Sequence, residues 1–145
     1  MTRDEAARLV QAFFKAHGAS GPNLAEKDAG GAMYGAAELF FQYRAEQQML
    51  KCLALIYRFR LEPKARVMDA LKREELTKAA HAADAELEYQ PDNRALYLTR
   101  EYQEPVASEQ FNEEMKRLAE TSLVWANEVL DGLASQVFHP EEISR

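Results

Sequence analysis

The sequence predicts an α+β fold, with an antiparallel sheet packed by helices, and three observations carry that expectation. Near both ends of the chain, apolar residues recur every three or four positions, as on one face of a helix. Residues 85–102 alternate apolar and polar side chains on either side of a four-residue turn. Between these regions lies the longest apolar segment, residues 49–61. Its Leu53, Leu55, Tyr57, Phe59 and Leu61 make one face, and Leu50, Cys52, Ala54 and Ile56 make a second, as in a strand covered on both sides. The expected order is α-β-β-β-α-β-β-α in a single domain spanning residues 1–145.

The first helix is expected over residues 3–17. Thr2-Arg3-Asp4-Glu5 has capping-box spacing, so hydroxyl and carboxylate can each satisfy an amide that the first turn leaves unpaired. Ala6, Leu9, Val10, Phe13, Phe14 and His17 form the stripe, and Gly18 with Gly21-Pro22 stops it. A short strand is expected at residues 24–27, and Asp28-Ala29-Gly30-Gly31 reads as turn chemistry. Further strands are expected at residues 36–44, where Leu39, Phe41 and Tyr43 alternate, and 49–61. Leu39, Tyr43, Leu50, Leu53, Tyr57 and Leu61 also fit a helical period, and Ala45-Glu46-Gln47-Gln48 is a poor turn. Strand and helix therefore both stay open for residues 36–60, with strands preferred because aromatic residues cluster at both ends.

Pro63 suits the first turn of a helix over residues 63–83, with Val67, Met68, Leu71 and Leu76 on its stripe. The hairpin comes next. Pro91-Asp92-Asn93-Arg94 as its loop sets Tyr89 opposite Leu96 and Leu87 opposite Leu98, all on one face. Ser108 can cap a last helix over residues 109–137, whose stripe includes Phe111, Met115, Leu118, Ser122 and Trp125.

Composition limits the function. A chain of 145 residues buries about 68–70% of its unfolded surface, enough for a core without disulfide or metal. Cys52 is the single cysteine, which excludes an internal disulfide or a four-cysteine metal site and favours a reducing, cytoplasmic setting. The opening Met1-Thr2-Arg3-Asp4-Glu5 has no basic region followed by an apolar one, so no secretory signal is expected. No apolar run approaches the ~18 residues of a membrane span. The net charge of −6, from 18 basic and 24 acidic residues, repels phosphate backbones and anionic lipids, though a local basic patch is compatible with it. Neither nucleic acid nor membrane is expected as a partner.

Chemical motifs are absent or incomplete. Gly30 and Gly35 have P-loop spacing, but Ala36 and Ala37 stand where lysine and a hydroxyl must reach phosphate and Mg²⁺. His17, His81 and His139 are scattered, so no convergent metal site or cofactor is expected. Cys52 has leucines and alanine for neighbours, which suits a buried thiol rather than a nucleophile. Glu113 and Glu114 lie at salt-bridge spacing from Lys116 and Arg117, the pattern of a solvated helix face. No catalytic residue is expected.

The aromatic residues outnumber what one small core needs, and Phe13 with Phe14 and Phe40 with Phe41 point in two directions at once. Something outside the domain is therefore expected to cover part of this surface: a second copy, a partner segment, or both.

Element order, size and low isoelectric point, the hairpin Ala85-Glu86-Leu87-Glu88-Tyr89 with Ala95-Leu96-Tyr97-Leu98-Thr99-Arg100-Glu101-Tyr102, and Pro105, Phe111 and Trp125 after it resemble the small chaperones of type III secretion. The resemblance covers roughly residues 3–135. It implies a non-catalytic homodimer that holds an extended segment of a client protein, which wraps apolar patches and adds a strand. Under it, Phe13, Phe14, Phe40, Leu50 and Ile56 are the partner-binding candidates, and Val67, Met68 and Leu71 are the candidates for the dimer seam. The alternatives are a dimeric structural or regulatory domain of the same fold without a secretion client, and an enzyme or small-ligand protein whose site follows no motif.

Overall fold

The computed structural model of the protein describes residues 1–77 and 85–129. Helix α1 (Arg3–Ala16) is followed by strands β1 (Ala29–Tyr34), β2 (Ala37–Arg44) and β3 (Met49–Arg58), helix α2 (Ala65–Thr77), strands β4 (Glu86–Gln90) and β5 (Ala95–Tyr102), and helix α3 (Ser108–Val124). Trp125–Val129 continues α3 as a π-helical turn. The five strands form one antiparallel sheet in the order β1-β2-β3-β5-β4. The expected continuations of α2 to residue 83 and of α3 to residue 137, with His81 and His139, lie outside the described residues.

Helix α1 begins and ends by local chemistry. The Glu5 amide donates to the Thr2 hydroxyl at 3.2 Å, and the Thr2 amide donates to the Glu5 carboxylate at 2.7 Å. At the other end Gly18 takes a φ of +68°, the left-handed conformation glycine tolerates. The Gly18 and Ala19 amides then return to the carbonyls of Lys15 and Phe14, closing the last turn.

The strands begin later than the sequence suggests. Residues 24–27 are not a strand: the Asn23 side chain accepts from the Ala25 amide at 3.1 Å, and its carbonyl accepts from Glu26 and Lys27, folding a turn that plugs Leu24 into the core. Of the segment read as a turn, Ala29 to Gly31 open β1, because Gly30 and Gly31 serve close approach rather than chain reversal. A Cβ on Gly31 would stand 2.6 Å from the Phe40 ring and 2.9 Å from the Leu39 carbonyl, and one on Gly30 2.5 Å from Pro22. The reversal falls at Gly35, with φ +60°, between Tyr34 and its cross-strand partner Ala37.

Residues 37–44 and 49–58 are strands. The pairs Leu39–Ala54, Phe41–Cys52 and Tyr43–Leu50 set six side chains on one face, which no helical reading does. The poor turn at residues 45–48 does reverse the chain, with Gln48 at a positive φ of 48°. In the β4–β5 hairpin Tyr89 pairs with Leu96 and Leu87 with Leu98, the register the alternation requires.

Helices α1 and α3 cover the sheet face that carries Leu39, Phe41, Leu50, Cys52, Ala54, Leu96 and Leu98, and there the main core closes around Phe13, Phe14, Phe111 and Trp125. The opposite face carries a smaller cluster, Leu53, Ala95 and Tyr97 with Phe40 and Leu55 beside it. Helix α2 turns Val67 and Ala70 into the main core and begins at Ala65, after Pro63, where the Lys64 carbonyl accepts from Val67 and Met68. Helix α3 has Ser108 as its first residue, and Ala107 at its cap position gives no side-chain bond.

Candidate protein-binding surface

The partner-binding candidates divide by burial. Phe13, Phe14 and Leu50 are 0% exposed and Ile56 is 5% exposed, so these four belong to the core. The Phe13 ring lies 5.1 Å from Phe14, 5.1 Å from Tyr34 and 6.4 Å from Phe111, while Phe14 meets Phe41 edge-on at 5.8 Å. The paired phenylalanines thus point in two directions because α1 is wedged between sheet and α3, not because one ring faces outward. Phe40 is half-buried on the other sheet face, against Tyr97 at 5.8 Å, apart from the rest. Of the seam candidates, Val67 is buried in the chain's own core and Met68 packs against it.

The exposed apolar side chains lie elsewhere: Met33, Tyr57, Leu61 and Val124 are 55%, 48%, 78% and 40% exposed. Met33 lies on β1, which among the described residues ends the sheet and pairs with β2 alone. An edge strand presents unpaired backbone groups, ready for another strand. Both ends of this one are tied to α1. Arg3 reaches Asp28 at 2.5 Å, just before β1, and the Tyr43 amide donates to the Asp28 carbonyl at 2.7 Å. At the far end the Tyr34 hydroxyl lies 3.3 Å from His17 Nε2, while His17 Nδ1 donates to the Phe13 carbonyl at 2.7 Å. That bond puts a proton on Nδ1, so in the neutral ring Nε2 accepts from Tyr34. The edge is held in place by its ends, and its middle, Gly30 to Met33, is left for contact. Sequence reasoning missed it because this stretch has no β-branched residue and two glycines.

Two polar networks brace the sheet. Lys51, its side chain 5% exposed, pairs with Glu88 at 2.5 Å, and Gln90 donates to the other Glu88 oxygen at 2.8 Å. Burial raises the Glu88 pKa, but the bonds from Gln90 and Lys51 outweigh it and hold the carboxyl below the ordinary value. On the opposite face of the sheet, Glu114 of α3 accepts from Tyr102 at 2.7 Å and Gln110 at 3.1 Å and pairs with Arg100 at 3.1 Å, beside an open cavity of about 410 Å³. Three partners hold this carboxylate, an arrangement that fastens α3 to β5. Cys52 is fully buried, and burial pushes its thiol well above the ordinary range, with Arg100 opposing and Glu114 adding to the effect. Among the described residues no group of three His, Cys, Asp or Glu side chains could hold a metal ion, and no helix is long and apolar enough to cross a membrane.

No protein-family model matches the chain, and no curated protein matches it either. Solved structures do. A chain of the ExsC–ExsE complex superimposes with a TM-score of 0.68 at 14% identity, over 88% of this chain and 96% of that one. The fold is type III secretion chaperone-like. A chain of the HopA1–SchA chaperone–effector complex agrees at TM-score 0.61 and 12% identity, covering 84% of this chain and 93% of that one. A chain of the heterodimeric ExoU–SpcU complex from the type III secretion system of Pseudomonas aeruginosa agrees at 0.54 and 15% identity, over 81% and 94%. At such identities the likeness lies in the chaperone-like sheet and its helices, and the side chains of any binding surface are this chain's own. Each of the three structures is a complex of two different proteins.

Proposed function

We propose that the protein is a non-catalytic, chaperone-like binding protein that holds an extended segment of a client protein along the free edge of β1. The observation that carries this reading is the edge itself: a six-residue strand, hydrogen-bonded on one side only among the described residues, tied at its two ends to Arg3 of α1 and to His17 at its C-terminal cap, with Met33 exposed beside it. Backbone pairing supplies sequence-tolerant affinity for an extended chain, and alternate side chains supply selectivity. The likeness to chains from chaperone–effector complexes supports the same reading.

The client is effector-like in this proposal, and the protein acts in the cytoplasm as a homodimer, with a mass in solution twice the 16.5 kDa of the chain. Val67 and Met68 serve the chain's own core, so a seam along α2 uses the residues that flank them.

The test is selection of random displayed peptides on the immobilised protein, followed by affinity measurement on Met33→Lys. An edge lysine blocks strand addition, and a residue 55% exposed tolerates it without loss of the fold. The reading requires selected peptides that bind in extended form and lose affinity on Met33→Lys. Peptides indifferent to that change would contradict it.

A further inference from the structure

The link between β3 and α2 has a charge opposite to that of the protein. Residues 58–66 hold Arg58, Arg60, Lys64 and Arg66 against the single acid Glu62, a net +3 in a chain of net −6, so the remaining residues total −9. Arg60 and Lys64 are exposed, and Leu61 between them is the most exposed large apolar side chain described, at 78%.

The local structure explains how this surface is presented. A β-bulge between Leu55 and Tyr57 shifts the register at the end of β3, and Tyr57 comes out 48% exposed. Its ring is not loose: it meets Phe59 edge-on at 5.0 Å, and Phe59 meets Tyr89 of β4 at 6.1 Å. Glu62 lies beside the Tyr89 phenol, where its charge, after burial, keeps that hydroxyl protonated. The one acid of the link thus acts on the chain's own hairpin. The link also adjoins the free edge. Met33 of β1 pairs across to Glu38 of β2, and Glu38 reaches Arg58 at 3.6 Å, so Met33, Arg58 and Leu61 follow one another around the same end of the sheet.

We propose that residues 57–64 receive an acidic stretch of the client polypeptide, with one aliphatic or aromatic side chain of that stretch seated on Leu61 and Tyr57. The inference rests on the client-binding reading above and names the chemistry of the segment that flanks the added strand. Charge complementarity selects the occupant. A second copy docked symmetrically would set basic link against basic link, and the −9 carried by the other residues repels a long polyanion while leaving a short acidic peptide free to approach.

The experiment uses the displayed-peptide selection on the whole protein, with affinities measured on the wild type, on Arg60→Glu/Lys64→Glu and on Leu61→Ser. All three positions are exposed, so the variants keep the fold, which circular dichroism checks. The expected result is enrichment of peptides with several Asp or Glu next to an apolar residue. The double charge reversal weakens them by about fivefold to thirtyfold, two contacts each worth about 0.5–1 kcal/mol, and added salt weakens wild-type binding in parallel. Peptides with no acidic bias, or affinities unchanged in the double variant, overturn the proposal. So does binding to phosphatidylserine vesicles or single-stranded DNA that the same variant abolishes, or an oligomer that it dissolves. Peptides lost on Met33→Lys but indifferent to the double variant overturn this inference and leave strand binding standing. Peptides lost only in the double variant support the link and contradict strand binding. A selection that enriches nothing contradicts both.

Discussion

Tyr102, the last residue of β5, donates its phenolic hydrogen at 2.7 Å to Glu114, nearly two turns into α3, and this bond fastens the last helix to the sheet. Tyr102 is 5% exposed, and Arg100 and Gln110 hold the same carboxylate. Tyr102→Phe removes a bond to a charged group, and the expected loss is about 1.5–3 kcal/mol. Urea unfolding with an unchanged slope checks it.

The alkaline limb of stability follows from two buried acids. Cys52, ordinarily at 9.0, and Tyr102, ordinarily at 10.0, are both pushed up, mainly by burial. A raised acid contributes stability fully below its unfolded value, and that contribution falls as pH rises above it, because the unfolded chain then sheds a proton the native state keeps. Stability should therefore decline above about pH 9. Melting curves between pH 7 and pH 11 should show a smaller decline for Cys52→Ala and for Tyr102→Phe than for the wild type. An equal decline in both variants would sink the assignment.

Lys51 and Glu88 predict an asymmetric pair of mutants. Lys51→Met replaces a nearly buried charge with a side chain of similar shape and should change stability by less than about 1.5 kcal/mol. Glu88→Gln leaves the Lys51 charge 5% exposed without its carboxylate and should cost clearly more. Because Glu88 lies below its ordinary 4.5, its contribution is present above that pH and lost as pH falls through the lowered value. Acid titration of the folded protein should therefore show a shallower loss in Glu88→Gln. Stability that falls more in Lys51→Met than in Glu88→Gln would contradict this ordering.

Gly31 tests why β1 is rich in glycine. Gly31→Ala must displace the Phe40 ring and meets the Leu39 carbonyl at 2.9 Å, an overpacking of about 1–3 kcal/mol. A melting temperature equal to that of the wild type would show that β1 can move away from β2 at little cost.

Phe14 is a core residue by its surroundings, so Phe14→Ala should lose about 3–5 kcal/mol. Loss of partner binding in that variant would accompany loss of the fold and would not map a surface. Denaturant unfolding separates the two.

The sequence carried the fold where periodicity and local chemistry agreed. Thr2 and Glu5 announced the start of α1, and the alternation around Pro91 to Arg94 defined the hairpin register down to the Tyr89–Leu96 pair. It failed where a residue type had two uses. Glycine serves both turns and close approach, and only the Phe40 ring shows which use Gly31 has. The site was less legible than the fold for a related reason. Phe13 and Phe14 resemble a binding face in one dimension, because the sequence does not reveal that α3 covers one ring and the sheet the other. Tyr57 and Leu61 looked like ordinary strand residues until the bulge in β3 and its end at Arg58 left them exposed, and Met33 fell in no expected strand.

The central claim is that a client segment pairs with β1, and amide hydrogen exchange with a selected peptide bound tests it most directly. The account predicts slowed exchange confined to backbone amides of Ala29–Tyr34, and no slowing in Met33→Lys. Exchange in β1 that stays as fast with peptide as without, while the peptide is demonstrably bound, would contradict it.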